Sequence, residues 1–489
     1  MGRSRRPTSN LAGVIPDRFG PVLAEVAPLA RSFAAAGHRL YVVGGTVRDL
    51  LLGGDAFDRS DDIDLTTSAR PDEIRACLDG VADAVWNQGE RFGTVGARIG
   101  DRIYEITTFR AESYTDDSRK PHVVFADDVE TDLARRDFTV NAMALEVTSD
   151  DPVLVDPHNG AADLVMKVLR TPLSPEESFS DDPLRMLRAA RFITRLDLVP
   201  ADGLVDAVRS MASRLSIVSA ERIRDEFDRL ICADHPTTGL WFLVETGLAE
   251  QFLPELPAMR LEHDPIHRHK DVLTHTFAVV ENVRPHHELP EERRDFDFRI
   301  VRLAALFHDI GKPRTRGYLK GKGTTFHHHD VVGAKMTRRR LIEMRYSNDD
   351  VAAITELVAL HLRFHTYRLG WSDAAVRRYV RDAGDLLAEL NVLTRCDCTT
   401  RNERKARTLS RRMDELEERI TELAAAEELA AIRPELDGRA VMDHLGVQPG
   451  RVIGDALAFL LEIRLEEGLI GDEAIRARLD AWYAERTSS

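Results

Sequence analysis

Two aspartates one residue apart, Asp62 and Asp64, sit in a stretch where apolar Ile63 and Leu65 alternate with them. Alternation at a period of two marks a β-strand whose successive side chains point to opposite faces. Asp62 and Asp64 therefore project together while Ile63 and Leu65 turn inward. Paired carboxylates suit Mg²⁺, which takes a few carboxylate oxygens and completes its shell with phosphate oxygens. Two such ions can activate an attacking hydroxyl and neutralise a leaving pyrophosphate. Just upstream, Tyr41-Val42-Val43 runs into Gly44-Gly45 and then an apolar helix start. Glycine lets backbone amides approach a ligand, and the helix turns its positive end to the same spot, so a phosphate chain can sit there.

The elements that must position these groups follow from composition and periodicity. At 489 residues the chain exceeds one compact core, and about 150 residues per domain gives roughly three or four units. A 43% hydrophobic and 30% charged composition is that of a globular protein without membrane spans. The net charge of −15 rules out a generally basic surface, so nucleic acid must be held by local clusters of cations. Four cysteines, Cys77, Cys232, Cys396 and Cys398, are too few for a disulfide framework. The start, with arginines but no apolar run, reads as a disordered tail over 1–13, and the expected location is cytoplasmic.

Residues 14–38 read as helix, with Leu23, Val26, Leu29, Ala30 and Phe33 on one face and Pro28 as a kink or division. A strand at 39–43, the aspartate strand, a helix from Pro71 and strands near 91–99 and 102–109 follow. In the last of these, Ile103, Glu105 and Thr107 share one face. Residues 110–130 are polar and read as a mobile loop. A later helix carries Arg185, Arg188, Arg191 and Arg195 at helical spacing, a basic stripe suited to an RNA backbone.

The order strand, Gly44-Gly45, Arg48-Asp49, Leu51-Leu52-Gly53 and then Asp62-Ile63-Asp64 resembles the polymerase-β-like nucleotidyltransferases, within them the bacterial class II CCA-adding enzymes and poly(A) polymerases. The resemblance implies a third active-site carboxylate at Glu105. It places Arg91-Phe92-Gly93-Thr94 near the triphosphate, with Gly44, Gly45 and Arg48. Arg135-Arg136-Asp137-Phe138-Thr139-Val140-Asn141 matches a second motif, in which the arginines and Asn141 bind triphosphate and ribose. Paired guanidinium donors suit phosphate. Asp181, Asp182 and Arg185 occupy a Glu-Asp-x-x-Arg motif, with Asp181 in place of Glu. The base-reading pair is carried onto Asp182 and Arg185. Cytosine and adenine share an amino group beside an unprotonated ring nitrogen, so a carboxylate that accepts and a guanidinium that donates favour CTP and ATP. A wrong base leaves buried polar groups unpaired at about 1–3 kcal/mol each.

From residue 261 histidines dominate: His263, His267, His269, His275, then His308-Asp309, then His327-His328-His329 and His361. Adjacent His308-Asp309 after an apolar helix resembles the HD superfamily of metal-dependent phosphohydrolases. The resemblance implies metal roles for His275, His308, Asp309 and Asp397, with His329 and His361 as outer members. Imidazole suits transition metals and carboxylate widens the choice, so the metal is Mn²⁺, Mg²⁺, Ni²⁺ or Fe²⁺. The basic run at 401–412 is placed at the tRNA elbow, and it leads into Leu409, Met413, Leu416, Ile420 and Leu423 at 4-3 spacing, too short for an independent coiled coil.

The expected fold is α+β: a head with a small mixed sheet (14–170), then an all-helical neck (171–260), HD domain (261–430) and tail (431–489). The expected function is a CCA tRNA nucleotidyltransferase, with Asp62, Asp64 and Glu105 catalytic, Mg²⁺ in the head, and the tRNA 3′ end, CTP and ATP as partners. Monomer and homodimer both stay open. The alternatives are a poly(A) polymerase, an enzyme adding only A or CC, or an HD phosphohydrolase with a nucleotide-sensing head.

Overall fold

The computed structural model describes residues 16–53, 62–87, 93–113, 122–261, 271–320, 323–367, 370–399, 403–426 and 432–487. The expected N-terminal tail, Arg91, Phe92, His263, His267 and His269 lie outside the described residues. The chain forms two compact units, one ending at Pro254 and the other starting at Glu255. No described helix is long and apolar enough to cross a membrane.

The first unit has the expected α+β character. Its first helix, α1 (Gly20–Ala35), buries Val22, Val26, Leu29, Ala30 and Phe33. Pro28 lies inside it, yet the helix is not divided there. Proline removes one backbone hydrogen bond, and an apolar face with Val22, Val26, Leu29 and Phe33 fully enclosed outweighs that loss.

Strands β1 (Leu40–Val43), β2 (Ile63–Thr67), β3 (Ala84–Asn87), β4 (Thr94–Ile99) and β5 (Arg102–Thr108) alternate with α2 (Gly45–Leu52) and α3 (Pro71–Leu78). The segment expected to be a loop instead begins as a hairpin, β6 (Arg110–Ser113) with β7 (His122–Phe125), and continues into α4 (Val129–Ala134). The β-prone run Val123-Val124-Phe125 is the signal that its polar surroundings hid. Strands β8 (Ala144–Glu146) and β9 (Leu154–Val155) complete a sheet of order β3-β4-β5-β2-β1-β8-β9. Among the described residues of this sheet only β2 and β5 run parallel. One face buries Leu40, Val42, Ile63, Leu65, Val95, Ala97, Tyr104 and Ile106 with α1 and α3. The register therefore leaves Asp64 and Glu105 on the other face.

Helices α5 (Gly160–Val165), α6 (Pro175–Asp181), α7 (Leu184–Leu196), α8 (Leu204–Met211), α9 (Ala220–Ile231) and α10 (Thr237–Glu245) follow in the same unit. Helix α7 ties them to the sheet region. Its Phe192 meets Phe138 edge-on, with ring centroids 5.6 Å apart. Its Arg188 donates from Nε (2.8 Å) and Nη2 (2.6 Å) to Oδ2 of buried Asp137. Burial acts to raise the Asp137 pKa, but Arg188 and the amide of Asn141 hold it at about 2.

In the second unit, helices Val272–Asn282, Phe298–Phe307, His329–Glu343, Asn348–Leu360 and Leu387–Cys396 surround Phe277, Val280, Leu303, Leu306, Ile354, Leu357 and Leu393. Helix Glu403–Ala426 buries Met413, Leu416 and Leu423 of the seam read from spacing and leaves Leu409 and Ile420 half-buried. The helices Gly438–Leu445, Arg451–Glu467 and Asp472–Thr487 enclose a core of their own, including Val441, Ala456, Leu460, Ile475 and Leu479.

Replacing Arg188 by Met strands the Asp137 carboxylate in a buried site, which costs about 3–5 kcal/mol at neutral pH. The native pKa is depressed, so the pair's contribution is complete above the ordinary carboxylate value of 3.8 and is lost as pH falls through about 2. In Arg188→Met the penalty instead shrinks on acidification, because protonation removes the stranded charge. Urea midpoints of both proteins, compared at neutral pH and near pH 4, measure this convergence.

Candidate functional site

Strand β1 runs into Gly44, whose φ of 72° favours glycine, and α2 starts at Gly45. A Cβ on Gly44 would lie 3.2 Å from Arg136 Nη1 and 3.8 Å from Asp64 Oδ2. The glycine turn, one arginine and one aspartate thus meet at a point. In the parallel β2–β5 ladder Asp64 is directly opposite Glu105, so the two carboxylates share a face. Asp62 lies just before β2.

Asp64 and Glu105 resist ionisation. The groups walled around Asp64 strip solvent from it, although its surface stays accessible, and raise its pKa; Asp62 adds to the rise and Arg136 opposes it. Glu105 is raised first by partial burial and then by the charges of Asp64 and Asp62. Three mutually repelling acids, all oxygen donors, fit a hard divalent cation that would offset the repulsion. Arg136 Nε is buried with no hydrogen-bond partner among the described residues, beside the turn where an anion would complete it.

Asp132, to which the sequence reading gave no role, organises the second motif. Fully buried, it accepts from Arg135 Nε (3.1 Å) and Nη2 (2.9 Å), from Arg136 Nη2 (3.4 Å) and from the Arg110 amide (3.1 Å). Its burial is offset by these two arginines, which hold its pKa down. An Asp three and four residues before adjacent arginines was the available signal. Arg48 is buried, its fork taken up by Asp49 (2.7 Å twice) and by Asn141 Oδ1 (2.6 Å). Thr94 shares a 3.0 Å hydroxyl contact with Thr107, and Gly93 at the start of β4 lies against Phe125.

At the entry to α7, Asp182 accepts from Arg222 Nη2 (2.8 Å) and from the Leu184 amide (3.1 Å). Arg185 donates to Ser178 Oγ (3.0 Å) and to the Arg135 carbonyl, which links it to the second motif. The basic stripe is different from its sequence reading. Arg188 is paired with Asp137, and Arg191 is buried against Glu226, so the helical spacing of these two serves internal ion pairs. Arg195 alone of the three is half exposed, 3.8 Å from Asp49.

The second unit gathers four histidines and two aspartates. The separation of His275 and His308 Nε2 is 3.3 Å, and that of His329 and His361 Nε2 is 3.2 Å. On the far side of each ring, Nδ1 meets an oxygen: the Ala305, Phe326 and Val358 carbonyls for His308, His329 and His361, and the Thr399 hydroxyl for His275, at 2.7–2.8 Å. A carbonyl only accepts, so Nδ1 of His308, His329 and His361 carries a proton, and in the neutral ring Nε2 keeps its lone pair; the Thr399 hydroxyl can serve either tautomer of His275. Two lone pairs facing each other repel unless a cation lies between them. Nitrogens bound at ~2.1 Å to one ion stand about 3.0–3.4 Å apart, so the residues fit.

Two ligand groups emerge, His275, His308 and Asp397 in one, and Asp309, His329 and His361 in the other. His329 and His361, read from sequence as outer members, are equal ligand candidates. Asp309 reaches both groups, Oδ2 standing 3.2 Å from His308 and Oδ1 3.4 Å from His329. Burial holds His361 at about 4, the neutral form a metal requires. Lys312, one turn beyond Asp309, donates to it at 2.6 Å, a partner the reading missed although i,i+3 spacing announced it. The Cys396 thiol, pushed up to about 12 by burial, is not a ligand candidate.

Comparison with known proteins agrees with this geometry. Residues 40–170 match the Poly A polymerase head domain, 201–259 the probable RNA and SrmB-binding site of polymerase A, and 272–424 the HD domain. An A-adding tRNA nucleotidyltransferase of Deinococcus radiodurans is 33% identical over 458 residues, covering 92% of this chain and 96% of that protein. A CCA-adding enzyme of Lactobacillus helveticus is 38% identical over 235 residues, about half of each chain at 48% and 56%. The Bacillus stearothermophilus CCA-adding enzyme, solved in complex with CTP, shares the fold at a TM-score of 0.64 over 97% of this chain and 100% of that one, with 21% identity. Head, RNA-binding segment and HD domain in this order, with near full-length similarity, place the chain in the tRNA nucleotidyltransferase family of enzymes.

Proposed function

We propose that this protein is a CCA tRNA nucleotidyltransferase that adds CMP, CMP and AMP to tRNA 3′ ends from CTP and ATP and releases pyrophosphate. The supporting observation is the meeting of Gly44, Arg136 and Asp64 beside the strand that carries Glu105. Gly44, Gly45 and Arg136 hold the triphosphate. Asp62 and Asp64 hold Mg²⁺, which when bound polarises the phosphoryl oxygens and lowers the pKa of the attacking hydroxyl. Glu105 positions the terminal hydroxyl of the RNA and accepts its proton. Asp182 and Arg185 read the shared edge of cytosine and adenine, and since one pair reads both bases, the order of addition comes from geometry. The enzyme works in the cytoplasm, as a monomer or a homodimer.

A second reading, addition of the terminal A alone, is favoured by the near full-length similarity to the Deinococcus A-adding enzyme. In the second unit the two ligand groups bridged by Asp309 support a metal-dependent phosphohydrolase acting on phosphomonoesters or cyclic phosphodiesters. That activity is secondary to nucleotide addition.

Incubation with tRNA lacking its CCA end and one labelled nucleotide at a time decides between the readings. CCA addition requires incorporation of CTP without ATP, followed by ATP on the CC-ended product. Incorporation of ATP only, and only onto CC-ended tRNA, selects the A-adding reading, and long ATP tails on unstructured RNA select a poly(A) polymerase. Asp62→Ala with Asp64→Ala lowers addition by at least about 10³-fold while leaving the metal content of the second unit intact. Asp309→Ala lowers bound transition metal from about two ions per chain to below one, read by elemental analysis, and leaves addition intact. Addition that survives the first pair overturns the assignment of the active site.

A further inference from the structure

The acidic face of the sheet continues beyond Glu105. In the ladder Glu105 is opposite Gly96 of β4, and Gly96 is opposite Trp86 of β3. Residues directly opposed across strands share a face, so one row runs Asp64, Glu105, Gly96, Trp86. The alternate row, with Val95, Ala97, Tyr104 and Ile106, is buried in the core and fixes this orientation. Gly96 leaves a gap in the row, and the indole fills it: a Cβ there would lie 2.4 Å from Trp86 Cε2 and Nε1. The ring thus reaches from the edge strand across β4, one strand spacing of about 4.8 Å short of the Glu105 strand.

The direction of the chemistry makes this position informative. The triphosphate cradle, Gly44 with Arg136, lies at the end of β1, on one side of Asp64. Glu105, Gly96 and Trp86 extend to the other side. In phosphoryl and nucleotidyl transfer the attacking and leaving oxygens stand roughly in line. With pyrophosphate leaving toward β1, the attacking hydroxyl arrives over β5, and the nucleotide that carries it lies over β4 and β3.

Resting on the function proposed above, we propose that Trp86 is the stacking platform for the 3′-terminal base of the RNA being extended. The extended end carries the tRNA's own last base at the first addition and cytosine at the second and third, so hydrogen-bond readout tuned to one base at this position would reject at least one of the acceptors. A π-face accepts every base. Gly96 is the residue that lets the ring lie flat beside the carboxylates.

The test separates stacking from a merely structural cover. Trp86→Leu keeps an apolar side chain over Gly96 and removes most of the stacking surface; Trp86→Phe keeps a ring. The expected result is a KM for tRNA about 5- to 100-fold higher in Trp86→Leu, a smaller rise in Trp86→Phe, and KM values for CTP and ATP unchanged within about twofold. In addition, a CC-ended RNA hairpin quenches the intrinsic fluorescence of the wild type, and the quench is lost in Trp86→Phe. A wild type that extends tRNA while Trp86→Leu shows an unaltered KM for it overturns the platform and leaves the proposed function standing. If Trp86→Leu does not fold, the fluorescence comparison decides, and a quench that persists in Trp86→Phe overturns the platform. A wild type that extends no RNA overturns the function itself.

Discussion

The parallel pairing of β2 with β5 is the constraint on which the candidate site depends. These strands are far apart in sequence, and only their register puts Asp64 opposite Glu105. A slip by one residue would send Glu105 into the apolar core and Ile106 onto the acidic face. The register is held by Ile63, Leu65, Tyr104 and Ile106, each nearly devoid of solvent exposure and packed against α1 and α3. The hydrophobic effect thus positions the charges, even though it acts on the other side of the sheet.

Charge concentration is handled in opposite ways in the two halves of the head. Around Asp64 and Glu105 desolvation first, and the facing like charges second, raise the pKa values and prepare a place for a cation. Around Asp132 and Asp137 the carboxylates are fully paired, and their pKa values fall. The paired acids fix the arginines: Asp132 holds Arg135 and Arg136, and Asp137 holds Arg188. Arg136, with one nitrogen still unsatisfied, is thereby presented to the glycine turn. Preorganised charge of this kind needs no reorganisation when substrate arrives.

The ligand groups in the second unit use helix ends for the same purpose. His308, His361 and Asp397 each directly follow a helix, and His329 begins one. Three of the four rings are anchored through Nδ1 to carbonyls three residues earlier, so the backbone turn just before each orients the imidazole. Orientation comes from local backbone, and convergence comes from packing of helices around one apolar interior.

Much of this was legible in the chain itself. The period-two placement of Asp62 and Asp64, the glycine turn before a helix, the His308-Asp309 pair and the 4-3 spacing of Leu409, Met413, Leu416, Ile420 and Leu423 are patterns within a few residues, where neighbour geometry alone sets direction. Partner choice was not legible. Nothing local says that Arg191 meets Glu226, that Asp132 gathers two arginines and an amide, or that 110–130 contains a hairpin. Nor could spacing show that His329 and His361 stand level with His275 and His308, or that Trp86 covers Gly96 in the row of Glu105. The physical reason is range. A side chain's direction is decided by its own backbone, whereas the group it meets is decided by which distant segments bury their apolar faces together, and that is a property of the whole fold.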